Sequence, residues 1–313
     1  MPWVLVVPGA ALAALAALWV AGERGHLILP STRHALRERR TGTGSRRSVL
    51  NAAHGYVYGR WPYWYIKWAM RLLPSFPAGA KRWWADHYHG KVIPTPLARE
   101  IIRLDHDIRR TDLDRIIPYP VARDIVLRAQ PDVVLLDCPC RLAQRDPCTP
   151  TQVCMIVGGG EFTLEHHPGR ARRVSQEEAL ALLETEHRRG HVHTAYFKDA
   201  CDHRFYAICN CCRCCCGGLA AMTQHAIPMV AASGYVAQVD ELYCIGCGDC
   251  AAACPFAAIT VPLRAAVAWA QCMGCGVCEG QCPTGAIALV RDPAKGVPLD
   301  VREIDVGALA AVA

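Results

Sequence analysis

Two runs of cysteine near the C-terminus constrain this chain more than any other feature. Cys244, Cys247, Cys250 and Cys254 follow the spacing C-x2-C-x2-C-x3-C with Pro255 next, and Cys272, Cys275, Cys278 and Cys282 repeat it with Pro283 next, at an offset of 28 residues. The repeat extends past the sulfurs, because AAIT at Ala257–Thr260 matches GAIA at Gly285–Ala288. Three thiolates at three-residue intervals can wrap one cubane corner by corner. Gly246, Gly248, Gly274 and Gly276 permit tight turns that leave amide N–H groups near sulfur, and the following proline turns the chain away. A disulfide scaffold is excluded, since the chain has 313 residues and an odd 19 cysteines, all between Cys138 and Cys282. Metal ligation in a reducing compartment is the reading left.

The pattern resembles the bacterial-type two-cluster ferredoxins over roughly residues 236–292. The resemblance implies two [4Fe–4S] clusters with crossed ligation, one on Cys244, Cys247, Cys250 and Cys282, the other on Cys272, Cys275, Cys278 and Cys254. It also implies two halves, each of loop, short helix and strand, related by a pseudo-twofold. A zinc site would show separated C-x2-C pairs or mixed Cys/His sets instead.

Eleven cysteines lie outside this module. Cys138, Cys140, Cys148 and Cys154 sit in DCPCRLAQRDPCTPTQVC, and Cys209, Cys211, Cys212, Cys214, Cys215 and Cys216 crowd ICNCCRCCC, with Cys201 just upstream. Cys209, Cys212 and Cys215 make one C-x2-C-x2-C register, and Cys211 with Cys214 a second C-x2-C. Either each patch holds a cluster or the two interleave, giving one or two further iron–sulfur clusters. Exposed thiols retained without a metal are oxidation liabilities.

The front of the chain differs in kind. Trp3 to Ala21 is a run of 19 mostly apolar residues without charge, close to the roughly 20 that cross a bilayer as a helix. Eight arginines, Arg24, Arg33, Arg37, Arg39, Arg40, Arg46, Arg47 and Arg60, follow it against Glu23 and Glu38. Read by the positive-inside rule, this predicts a single-pass anchor in the cytoplasmic membrane with the Cys-rich body facing the cytoplasm. Nucleic-acid binding is the weaker use of that basic stretch beside an apolar run. Between Gly55 and His89, Trp61, Tyr63, Trp64, Tyr65, Trp68, Trp83 and Trp84 alternate with cations, which reads as one or two helices at a membrane interface or as a packed contact.

From Pro94 the pattern is ordinary. PLAREIIRLDHDIRR carries apolar residues at helical spacing, PYPVARDIVLRAQ reads as a second helix, and VVLL at Val133–Leu136 as a strand. Ser175 with Glu178 is a capping-box signature ahead of EEALALLETEHRR, which Gly190 closes, and HVHTAYF reads as a strand. His191 and His193 would share a face of that strand, and His203 lies near the second cysteine patch. No dinucleotide or P-loop fingerprint is present, so hydride transfer from a nicotinamide is not expected.

The expected fold class is α+β: a transmembrane helix over 1–22, a basic aromatic region over 23–93, a cysteine-rich mixed α/β domain over 94–235, a pseudo-twofold ferredoxin-like dicluster domain over 236–292 and a tail over 293–313. The expected function is electron relay between a cytoplasmic redox protein and a membrane-associated partner, within a multisubunit complex. The alternative is an oxidoreductase whose Cys209–Cys216 patch holds a substrate-reducing cluster fed by the ferredoxin domain.

Overall fold

The computed structural model describes residues 3–41, 49–110, 113, 116–118, 125–158, 160–198, 201 and 204–304, with side chains in the first helix from residue 13 onward. His203 lies outside the described residues.

The strands are β1 (Tyr88–Val92), β2 (Ile108–Arg110), β3 (Ile125–Leu127), β4 (Val133–Asp137), β5 (Gln152–Val157), β6 (Ala171–Val174), β7 (Val192–Lys198), β8 (Arg204–Cys211), β9 (Val230–Ala231), β10 (Tyr235–Val239), β11 (Ile259–Thr260), β12 (Ala266–Val267) and β13 (Ile287–Arg291). Seven form one sheet in the order β6-β4-β5-β8-β7-β1-β9, antiparallel throughout except for β1 with β9.

The period of two along these strands sorts the core. Leu135, Met155, Ala195, Phe197, Phe205 and Ile208 project to one face, where they pack with Ile101 of helix Thr95–Ile102 and Leu183 of helix Gln176–Arg188. Leu299, Val301 and Ile304, beyond the last strand, return to that same core. Val192, Tyr196 and Cys211 project to the other face, into a second core that continues through Ile259, Cys272 and Val277. The ferredoxin-like part is therefore packed against the sheet domain by shared apolar contact.

Helix Gln176–Arg188 starts as its sequence predicts, with Ser175 Oγ accepting from Glu178 N at 3.1 Å. The helical spacing from Pro94 holds only to Ile102. Ile108–Arg110 and Ile125–Leu127 instead pair as antiparallel strands, with Ile108, Ile125 and Leu127 buried. Long-range pairing of β-branched residues overrides the local periodicity there.

The expected transmembrane helix, and with it a single-pass location in the cytoplasmic membrane, is overturned. Among the described residues no helix is long and apolar enough to cross a membrane. The end of helix Trp3–Gly22 is used for packing within the chain. Trp19 stacks on Tyr56 at 5.0 Å, Gly22 O accepts from Arg60 Nε at 2.6 Å, and the buried Glu23 carboxylate accepts from Leu29 N at 2.5 Å and Thr32 Oγ1 at 3.0 Å. A count of apolar residues cannot register this, because it ignores which faces are already covered by protein. The aromatic stretch behaves alike: Tyr58, Tyr65, Trp84 and Tyr88 surround the Lys198 ammonium at 4.8, 5.0, 5.7 and 4.7 Å, while Trp64, Trp68 and Trp83 are exposed.

Candidate metal centres

The eight cysteines of the repeat gather into two quartets. One small cavity is walled by Cys244, Cys247, Cys250 and Cys282, and a second by Cys254, Cys272, Cys275 and Cys278. Each quartet borrows its fourth sulfur from the other half of the repeat, which is the crossed arrangement that the resemblance implies.

The backbone around them obeys the same 28-residue offset. Ala258 N donates to Cys254 Sγ and Ala286 N to Cys282 Sγ, both at 3.3 Å. Ala265 N donates to Cys244 Sγ at 3.4 Å and its counterpart Ala237 N to Cys272 Sγ at 3.5 Å. Gly246, Gly248, Gly274 and Gly276 all adopt positive φ, between 62° and 89°. At Gly274 a Cβ would fall 2.2 Å from Tyr235 O, so both conformation and space require glycine. Such amide-to-sulfur bonds stabilise thiolate, so the donor set fits an iron–sulfur cube better than it fits buried neutral thiols.

The two quartets differ in exposure. Cys247 is open to solvent, and Leu242, Tyr243, Ile245 and Leu263 are exposed in the same half. Cys272, Cys275 and Cys278 are buried, and burial pushes the Cys278 thiol up to about 12 and Cys275 well above the usual thiol range. Helix Val277–Gly280 of this half faces helix Gln176–Arg188: Gln281 Nε2 donates to Arg188 O at 2.9 Å, and His187 lies where a Cβ on Gly280 would touch its Nε2 at 2.4 Å.

Ten of the eleven remaining cysteines interleave across the two sequence patches, the second of the arrangements left open by their spacing. Cys138, Cys140, Cys154, Cys209, Cys211 and Cys216 converge on a small inner cavity, also lined by Cys212 and Tyr196. Three of these are placed by the sheet: Cys154 on β5 and Cys209 and Cys211 on β8 share one face, with Cys154 Sγ and Cys209 Sγ 4.0 Å apart. Cys138 follows β4 and caps the short helix Pro139–Leu142, which carries Cys140, and Cys216 caps helix Gly217–His225. Cys216 accepts from the Cys140 and Cys211 thiols and from the amides of Leu219 and Gly218, which outweigh burial and hold it well below the usual thiol range. Six sulfurs with one poised as thiolate suit a cluster.

Cys148, Cys212, Cys214 and Cys215 form a separate outer quartet whose four sulfurs lie within 4.8 Å of one another. Cys201 joins neither set and lines a larger recess instead.

Behind the inner cavity sits a charged network that the sequence reading missed. Arg141, fully buried, donates from Nη2 to Glu186 Oε2 at 2.9 Å and to Asn210 O at 3.2 Å, and from Nη1 to Pro150 O. His191 Nδ1 bonds Glu186 Oε2 at 2.6 Å and His193 Nδ1 bonds Asn210 Oδ1 at 2.7 Å. Each histidine thus bonds a neighbour through Nδ1, while the buried Nε2 of His193 has no hydrogen-bond partner among the described residues. Burial would raise the Glu186 carboxyl, but hydrogen bonds from His191 and Arg141 hold it down at about 2.

The recess walled by Cys201 holds about 260 Å³ and reaches the inner cavity, since Cys138, Cys140, Cys154 and Cys209 line both. Its other walls include Tyr56, Tyr58, Ile66, Phe162, His167 and Tyr206, and the Tyr58 and Tyr206 hydroxyls meet at 2.6 Å.

No curated protein matches this chain. A family model described as a 4Fe-4S binding domain matches residues 237–260 and 266–288, one match for each half of the repeat, so the C-terminal part is similar to ferredoxin-type 4Fe-4S domains.

Proposed function

We propose that this iron–sulfur protein relays electrons through three clusters: two [4Fe–4S] clusters on the crossed quartets and one on the inner set Cys138, Cys140, Cys154, Cys209, Cys211 and Cys216. The crossed quartets, with their 28-residue register of amide-to-sulfur bonds, carry this reading. When bound, such clusters supply one-electron redox steps.

The chain's own residues set the order of the sites. The exposed apolar side chains Leu242, Tyr243, Ile245 and Leu263 on the segments that carry exposed Cys247 suit docking of a redox protein at the crossed quartet that includes Cys247. From the buried quartet, one apolar core runs without a break through Val277, Val192 and Tyr196 to Cys211 and Cys216, which keeps water away from the interval between sites.

The test is metal and sulfide analysis with EPR on anaerobically purified protein. About twelve iron and twelve inorganic sulfide per chain are expected for three cubanes. Cys275→Ser should perturb the signals of the ferredoxin-like module and leave the inner cluster intact. Protein without iron, or with signals unchanged in that variant, would overturn the reading.

A second reading is favoured by the recess shared with the inner cavity. Its aromatic walls and the Tyr58–Tyr206 hydroxyl pair suit a largely apolar molecule with a hydrogen-bonding oxygen, reduced at the inner cluster with electrons from the ferredoxin-like part. A change in the inner-cluster signal on adding such a molecule would favour this oxidoreductase over a pure relay.

A further inference from the structure

We propose that the outer quartet Cys148, Cys212, Cys214 and Cys215 is a single-ion site, holding one tetrahedral zinc or mononuclear iron in place of a cluster.

The spacing of the sulfurs carries the argument. All four lie within 4.8 Å of one another, with Cys214 Sγ 3.4 Å from Cys148 Sγ and 3.5 Å from Cys215 Sγ. Four thiolates sharing one ion at about 2.3 Å stand about 3.8 Å apart along the edges of a tetrahedron. Thiolates on a cubane each bind a different iron, so they must stand farther apart than thiolates that share one. With all four sulfurs at most 4.8 Å apart, the quartet lies near the smaller figure. Its chemistry agrees: Cys212 and Cys215 form a C-x2-C knuckle, and Cys148 N donates to Cys215 Sγ at 3.5 Å.

The partition of cysteines then closes. Eight sit in the crossed quartets, six around the inner cavity and four here, leaving Cys201.

The ion would act as a clip. Cys148 belongs to the loop between β4 and β5, and the other three to the turn after β8, so one ion ties two loops that meet over the inner cavity. Gln144 Nε2 donates to Cys215 O at 3.4 Å along the same seam, and Cys212 borders the inner cavity as well. Cys214, the exposed member, leaves the clip open to chelators.

The experiment is elemental and acid-labile sulfide analysis of full-length protein purified anaerobically, with Cys214→Ser and Cys148→Ser beside the wild type. Each variant should lose one metal atom per chain, zinc or iron, with sulfide unchanged and the EPR of the crossed quartets intact. A zinc loss and a sulfide-free iron loss both support a single-ion site and identify its metal. Loss of about four iron with about four sulfide would overturn the proposal in favour of a cubane, and unchanged metal in both variants would overturn it altogether. Should a variant fail to fold, wild-type protein produced with cobalt decides: tetrahedral thiolate–cobalt absorption supports the site and its absence overturns it. This outcome is separate from the relay reading, which is decided by iron in the crossed quartets and the inner set and by the signals of Cys275→Ser.

Discussion

At the scale of single residues, the chemistry of each sulfur depends on what surrounds it. Cys216 is held toward thiolate by donated hydrogen bonds, and Cys275 is pushed the other way by burial. The Arg141–Glu186 pair follows the same logic with a larger penalty. Both side chains are fully buried, so removing one partner leaves an uncompensated charge in a low-dielectric site. Glu186→Gln is expected to destabilise the protein by about 3–5 kcal/mol, and the double change Arg141→Met with Glu186→Leu by much less. Urea midpoints decide, and equal losses in the two variants would refute the account. None of this was legible in the sequence, where Arg141 is one of many arginines and Glu186 one of several acidic residues on an amphipathic helix.

At the scale of elements, the repeat shows how far spacing alone can go. Gly246 and Gly248 match Gly274 and Gly276 in sequence, and the structure gives each pair the same left-handed turns. Ala257, the counterpart of Gly285, also takes a positive φ of 51°, so the repeat imposes the conformation even where the side chain resists it. Gly274→Ala should therefore break the loop that carries Cys272 and Cys275, because the new Cβ would collide with Tyr235 O at 2.2 Å. The expected result is loss of about four iron per chain with the remaining clusters retained, read by iron analysis and EPR. Full retention of iron would show that the loop can relax. Elements without a repeat were harder to read. The helical spacing after Pro94 was right for one helix and wrong for β2 and β3, since pairing between segments well separated along the chain leaves no local mark.

At the scale of the whole molecule, buried histidines make folding sensitive to acid. His193 is lowered to about 4, chiefly by burial, with His187, Glu186 and His191 as its charged neighbours, and burial lowers His166 and His167 as well. A histidine with a depressed folded pKa binds its proton more readily when unfolded. The stability it contributes is present above the unfolded value of about 6.5 and is lost as pH falls toward the folded one. Wild-type protein should lose roughly 2 kcal/mol through His193 between pH 7 and pH 5, and His193→Gln should show a smaller loss over the same interval. Equal pH dependence of the urea midpoints would count against it. The sequence by itself determined the ferredoxin-like repeat of eight cysteines, because each run of ligands is local and its spacing repeats, and the crossing of the fourth ligands entered only through the resemblance. Only the tertiary structure decided how the other eleven cysteines sort, since β5 and β8 bring Cys154 and Cys209 face to face and a turn brings Cys214 to Cys148. It also decided that the end of the first helix docks against Tyr56 and Arg60. Which face of an element is covered depends on partners remote in the chain, and no local pattern records them.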